Sequence, residues 1–78
     1  MGKKELIKLI VEIAGDYTDI TEIQADSSFM DDLEMSSMEV FSFIGDLEGK
    51  LHIRIPERVL NKAATVEELA DEIMMLKA

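Results

Sequence analysis

The stretch "DDLEMSSMEVFSFIGDLEGKL", Asp31 to Leu51, decides how this chain is read. An acidic segment gives way, at a pair of serines, to apolar residues at helical spacing. Ser36 is followed three positions later by Glu39, the reciprocal pairing of a capping box. Ser36 is therefore placed at an N-cap, and a helix is expected from Ser37 to Leu51. Met38, Phe41, Ile44, Leu47 and Leu51 mark its apolar face, with Phe43 toward the edge of that face. Gly45 and Gly49 fall inside the helix, each at a cost of about 1 kcal/mol relative to Ala. A close helix–helix approach or fraying near the helix end accounts for them. So does room left for something lodged beside the helix.

Working outward, Leu6, Ile7, Leu9, Ile10, Ile13 and Ala14 recur at helical spacing and give a first helix from Lys3 to Gly15, with the glycine as a stop signal. Downstream, Thr65 and Glu68 form a second capping box at the head of "TVEELADEIMMLKA". Val66, Leu69, Ala70, Ile73 and Leu76 are its apolar stripe, and Lys77 sits near the negative end of its dipole. Between these, Ile53 and Ile55 alternate briefly, and Pro56 suits the first position of a short helix through Leu60. The connection "DYTDITEIQADSSFMDDLEM" is long for a structureless loop in a compact domain, so Ile20, Ile23, Phe29 and Leu33 are expected to pin it to the core. The fold class is all-α: one domain over residues 1–78, a small irregular four-helix bundle with three main helices, one short one and a long first loop.

Composition agrees. A chain of 78 residues supports one small core and leaves little room for a buried catalytic pocket. With three Phe, one Tyr and no Trp, core filling falls to Ile, Leu, Val and Met, which suits helix packing. The formal charge is −9, and no Lys or Arg occurs between Leu9 and Gly49. Such a face repels nucleic acid and anionic membrane and attracts proteins with basic patches. Cysteine is absent, so there is neither a disulfide framework nor a thiolate metal site. Charged residues at Glu5, Lys8 and Glu12 interrupt the N-terminal apolar pattern, which reads neither as a signal peptide nor as a membrane span. A cytoplasmic monomer is expected.

The serine pair is the candidate site. As N-cap, Ser36 contributes about 1 kcal/mol and needs no further role. Ser37 then takes the first helical position, beside free N–H groups and the positive dipole end, where an attached or bound phosphate is favoured. A Ser–His dyad is not supported, because His52, the only histidine, follows the far end of the same helix. No base, metal cluster or phosphate loop accompanies Ser37. "DDLEMSSME" lacks the ligand spacing and central Gly of a calcium loop.

The segment from Ser27 to Ile73 resembles an acyl carrier protein. That family reads roughly S-F-x-x-D-L-G-x-D-S-L-x-x-V-E-L, then L-E-x-x-F-x-I-x-I-P, then T-V-x-x-L. Ser28-Phe29, Asp32-Leu33, Ser37-Met38, Leu47-Glu48, Ile53, Ile55-Pro56 and Thr65-Val66-Glu67-Glu68-Leu69 fall on it without a gap. The resemblance implies a 4′-phosphopantetheine arm on Ser37, carrying acyl groups as thioesters for fatty acid, modified lipid or related biosynthesis. It also implies that the sulfur missing from the sequence arrives with the arm. The implied partners are a phosphopantetheinyl transferase and acyl-transferring and acyl-modifying enzymes with basic docking patches. The matching acids are Asp32, Glu34, Glu39, Asp46 and Glu48, and the implied walls of an acyl cleft are Phe41, Ile44, Ile55 and Leu60.

The chain also departs from the family. Ser36 replaces the usual Asp, Ser42 stands where Glu is usual, Phe41 and Phe43 replace smaller aliphatics, and Lys50 adds a late positive charge. A specialised carrier is expected rather than the housekeeping one. Two alternatives stay open: an aminoacyl carrier (D-alanyl or peptidyl), and an unmodified acidic interaction module with the same fold.

Overall fold

The computed structural model describes residues 2–77. Its helices are α1 (Lys3–Ala14), α2 (Ser37–Leu51), α3 (Glu57–Lys62) and α4 (Val66–Lys77). α1 packs against α4 and α2, and α3 packs against α4. Leu6, Ile10, Ile13 and Ala14 of α1 meet Val66, Leu69, Ala70 and Ile73 of α4 in one core that takes in Phe43, Ile44 and Leu47 of α2. Outside it, Lys3 bridges α1 to α4 through Asp71 at 2.8 Å and Glu67 at 3.3 Å. The all-α bundle expected from periodicity is the fold observed.

The long connection from Gly15 to Ser36 is packed along its length. Phe29 and Leu33 bury as expected, Ile20 and Ile23 pack half-buried at the core's edge, and Met35 is a further buried anchor. Backbone groups are satisfied across the molecule. Phe29 N–H donates to Ala64 O at 3.0 Å, Val66 N–H to Ser27 O at 3.1 Å and Glu67 N–H to Ala25 O at 2.7 Å. An isolated antiparallel bridge joins Ser28 to Thr65. The loop is thereby clipped to the α3–α4 turn, and Thr18 Oγ1 ties its two ends by donating to Leu33 O at 2.6 Å. Pairing of this kind holds buried backbone that a free loop would leave unsatisfied.

Four boundaries or faces differ from the sequence reading. α1 ends at Ala14, with Gly15 as a right-handed C-cap (φ −59). Pro56 is the N-cap of α3 and not its first residue, and the helix runs on to Lys62. On α4, Leu76 lies at the exposed end of the stripe. The largest difference is on α2. Its core stripe is Val40, Phe43, Ile44, Leu47 and Leu51, with Phe43 fully buried. Met38 is 79% exposed and Phe41 55% exposed. The true stripe follows the i, i+3, i+4, i+7, i+11 spacing of one helix face. The sequence reading mixed two faces because both carry apolar residues.

Gly45 and Gly49 are not at a helix contact. A methyl group at either position would meet no other atom within 4 Å. The close-approach explanation therefore fails, and both glycines cost helix stability without a packing return. Gly45→Ala and Gly49→Ala should each raise stability by about 0.5–1 kcal/mol in urea unfolding followed by circular dichroism. A loss of stability in either variant would contradict this placement.

Tyr17 closes the core at the side. Its ring meets Phe43 edge-on at 6.4 Å, Phe43 lies 5.2 Å from Phe29, and the Tyr17 hydroxyl donates to the Asp46 carboxylate. That hydrogen bond, then burial and the nearby negative charges, raise the Tyr17 pKa above its ordinary value. A raised folded-state pKa stabilises below the unfolded value and loses that contribution as pH rises through the folded one. Stability should thus hold below about pH 10 and decline above it. Tyr17 is the only tyrosine, so tyrosinate absorbance reports it alone. The midpoint should lie above the ordinary value and drop toward it in Asp46→Asn.

Candidate functional site

The head of α2 is built as its sequence requires. Ser36 is extended (φ −77, ψ 166), its Oγ accepts from Glu39 N–H at 3.2 Å, and Glu39 Oε1 accepts from Ser36 N–H at 2.9 Å. The capping box is complete. Ser37 is the first helical residue and is exposed. The N–H groups of this first turn have no partner inside the helix, apart from those the cap takes. The hydroxyl of Ser37 therefore stands in solvent beside a local positive end, with no buried neighbour to crowd a substituent.

The loop before it is fixed by short hydrogen bonds. Asp32 Oδ2 accepts from Ser28 N–H at 2.8 Å, Ser28 Oγ from Asp31 N–H at 2.9 Å, and Met35 N–H donates to Phe29 O at 3.0 Å. Glu34 adopts φ 54, the left-handed region that favours glycine, and stands at the position where the family pattern in the sequence has Gly. His52 takes the same conformation (φ 55) as C-cap of α2, where its N–H donates to Glu48 O.

The five acids singled out by sequence lie in the loop and on α2, but four carry internal duties. Asp32 holds the Ser28 amide, Glu39 the Ser36 amide, Asp46 the Tyr17 hydroxyl, and Glu48 Oε2 the Ile55 N–H at 2.6 Å. Among the described residues, Glu34 alone of the five has no hydrogen bond within the chain. The periodicity gave no sign of these duties, which follow from contacts between residues three to twenty-nine positions apart.

The four residues named as cleft walls separate. Ile44 and Ile55 are buried in the core, Phe41 faces outward, and Leu60 lines a cleft. That cleft, of about 350 Å³, is lined by Ser28, Phe29, Met30, Asp31, Val40, Leu60, Ala63 and Ala64. Val40 lies one turn beyond Ser37 on α2, so the cleft opens close to the serine. The sequence reading missed Val40 because it assigned the helix face one stripe away. A larger, shallow groove on α1, lined by Lys4, Glu5, Ile7, Lys8 and Val11, offers neither a nucleophile nor a buried polar group. Its residues come from α1 alone, whereas the serine pair heads α2.

Comparison with known proteins then bears on this geometry. The family model described as a phosphopantetheine attachment site matches residues 4–73. The chain is 33% identical over 76 residues to an acyl carrier protein of Rubrobacter xylanophilus, covering 95% of this chain and 94% of that protein. It is 43% identical over 71 residues to an acyl carrier protein of an Exiguobacterium species, covering 88% and 90%. An acyl carrier protein of Myxococcus xanthus matches at 30% identity over 74 residues, covering 92% and 94%.

Proposed function

The chain belongs to the phosphopantetheine attachment site family, and from that premise we propose that it works as an acyl carrier whose 4′-phosphopantetheine is borne on Ser37. The observation that carries the reading is the exposed Ser37 at the first position of a capped helix, one turn before the apolar mouth formed by Val40. The residues fit the group. A phosphodiester on the Ser37 oxygen would lie against the unpaired N–H groups of the α2 start, where negative charge is stabilised. When attached, the group supplies the thiol on which acyl groups are held as thioesters.

The chain's own residues position and shelter. Ser36 and Glu39 hold the helix start so that the Ser37 hydroxyl faces solvent. The Ser28–Asp32 hydrogen bonds keep the preceding loop clear of it. Phe29, Val40, Leu60 and Ala63 offer apolar surface to an acyl chain near the serine. This favours a fatty or related acyl cargo over an aminoacyl one, which has little use for an apolar cleft. A transferase moves the arm from coenzyme A to Ser37, and partner enzymes perform the chemistry on the cargo. No helix among the described residues is long and apolar enough to cross a membrane.

The test is intact mass after incubation with coenzyme A and a broad-specificity phosphopantetheinyl transferase, followed by peptide mapping. A gain of one phosphopantetheine on the peptide that holds Ser37 is expected. No gain, with a control carrier modified in the same tube, overturns the proposal.

A further inference from the structure

The outward side of α2 carries a second stripe. Met38, Phe41, Ser42, Gly45 and Gly49 follow the same i, i+3, i+4, i+7, i+11 spacing as the core stripe, offset by two residues and so about 200° around the helix. It is exposed along its length. Its first two residues are large and apolar, its last two are glycines over open space, and none is charged. The helix's acids flank this stripe, and Glu39, Asp46 and Glu48 are each held by a hydrogen bond within the chain. Exposing Met38 and Phe41 to water has no folding benefit, and two exposed glycines weaken the helix they sit in. Solvated helix faces normally carry charge.

We propose that the transferase acting at Ser37 docks on this outer stripe, through an apolar pocket that receives Phe41 and Met38 while a segment of its backbone runs close over Gly45 and Gly49. The proposal rests on the carrier reading above. Its occupant follows from continuity, because any enzyme that reaches the Ser37 oxygen must cover Met38 beside it and Phe41 one turn on. Large side chains desolvated at the centre of a contact supply most of its affinity, and charges at its rim mainly tune the encounter rate. The stripe supplies a neutral centre, and the tethered acids supply the rim. Glycines at Gly45 and Gly49 let a partner's backbone approach the helix more closely than any side chain would allow.

The test is the rate of arm transfer from coenzyme A to the full chain by a broad-specificity phosphopantetheinyl transferase, at low and high sodium chloride. Phe41→Ala should lower kcat/KM by about tenfold or more, chiefly through KM, with an unchanged melting temperature. Gly45→Gln should raise the melting temperature yet lower transfer, a split that a purely structural role of the stripe would not produce. Met75→Ala, which removes an exposed apolar side chain on α4, should alter neither. Glu34→Gln and Asp46→Asn should change kcat/KM by less than about threefold, as should raising the salt, because the central contact is uncharged. Parental rates in Phe41→Ala, or a steep fall with salt, would overturn the docking proposal and leave the carrier reading intact. Failure of the parent chain to accept the arm, with a control carrier modified, would overturn both. A dimer in sedimentation that dissociates in Phe41→Ala would assign the stripe to a second copy and also overturn it.

Discussion

Ser37→Ala should abolish arm attachment completely, while Ser36→Ala should leave the attachment oxygen in place and weaken the helix that presents it. The two serines are adjacent and share a side-chain chemistry, yet their backbone positions separate them. Ser36 spends its oxygen on Glu39 N–H and its own amide on the Glu39 carboxylate. A substituent on that oxygen would break the cap. Ser37 is exposed and helical, and its hydroxyl has no hydrogen bond within the described residues. Loss of the Ser36 cap should cost about 1 kcal/mol of stability, read by urea unfolding, with arm attachment retained. Intact mass separates the roles. A modified Ser37→Ala would move the site, and an unmodified Ser36→Ala of near-parental stability would make Ser36 part of the chemistry.

Phe43→Ala should leave most of the chain unfolded at room temperature. The ring is fully buried and touches the aromatic rings of Phe29 and Tyr17. Truncating a buried Phe costs about 3–5 kcal/mol through lost transfer energy and the cavity left behind. A domain of this size holds only a few kcal/mol in reserve. Phe41→Ala, two residues away, should change stability by no more than about 0.5 kcal/mol, because its ring is 55% exposed. The pair is a sharp test of helix rotation. Equal losses in the two variants would mean that α2 presents a different face to the core.

That rotation also marks where the sequence stopped being legible. Both capping boxes were readable, because a cap is a contract between residues three apart and needs no partner elsewhere. The stripe of α4 was readable through Ile73, because one face of it is apolar and the opposite face is charged. α2 was not, since Met38 and Phe41 on one side compete with Val40 and Phe43 on the other, and periodicity cannot rank two apolar faces. The acids were visible as charges but not as tethers. Glu48 finds the Ile55 amide and Asp46 finds Tyr17 only once the chain has turned back on itself.

By itself, then, the amino-acid sequence determined the helices, their caps, the serine at the head of α2 and the family pattern around it. Each of these is set by neighbours within about one helical turn or by the order of short motifs. The tertiary structure alone decided which side of α2 is core, that the long loop is clipped to the α3–α4 turn, that the cleft beside Ser37 is walled by Val40 and Leu60, and that most of the acids are occupied. The reason is physical. Burial and long-range hydrogen bonds depend on which surfaces meet, and that is a property of the packed chain and not of any window of its sequence.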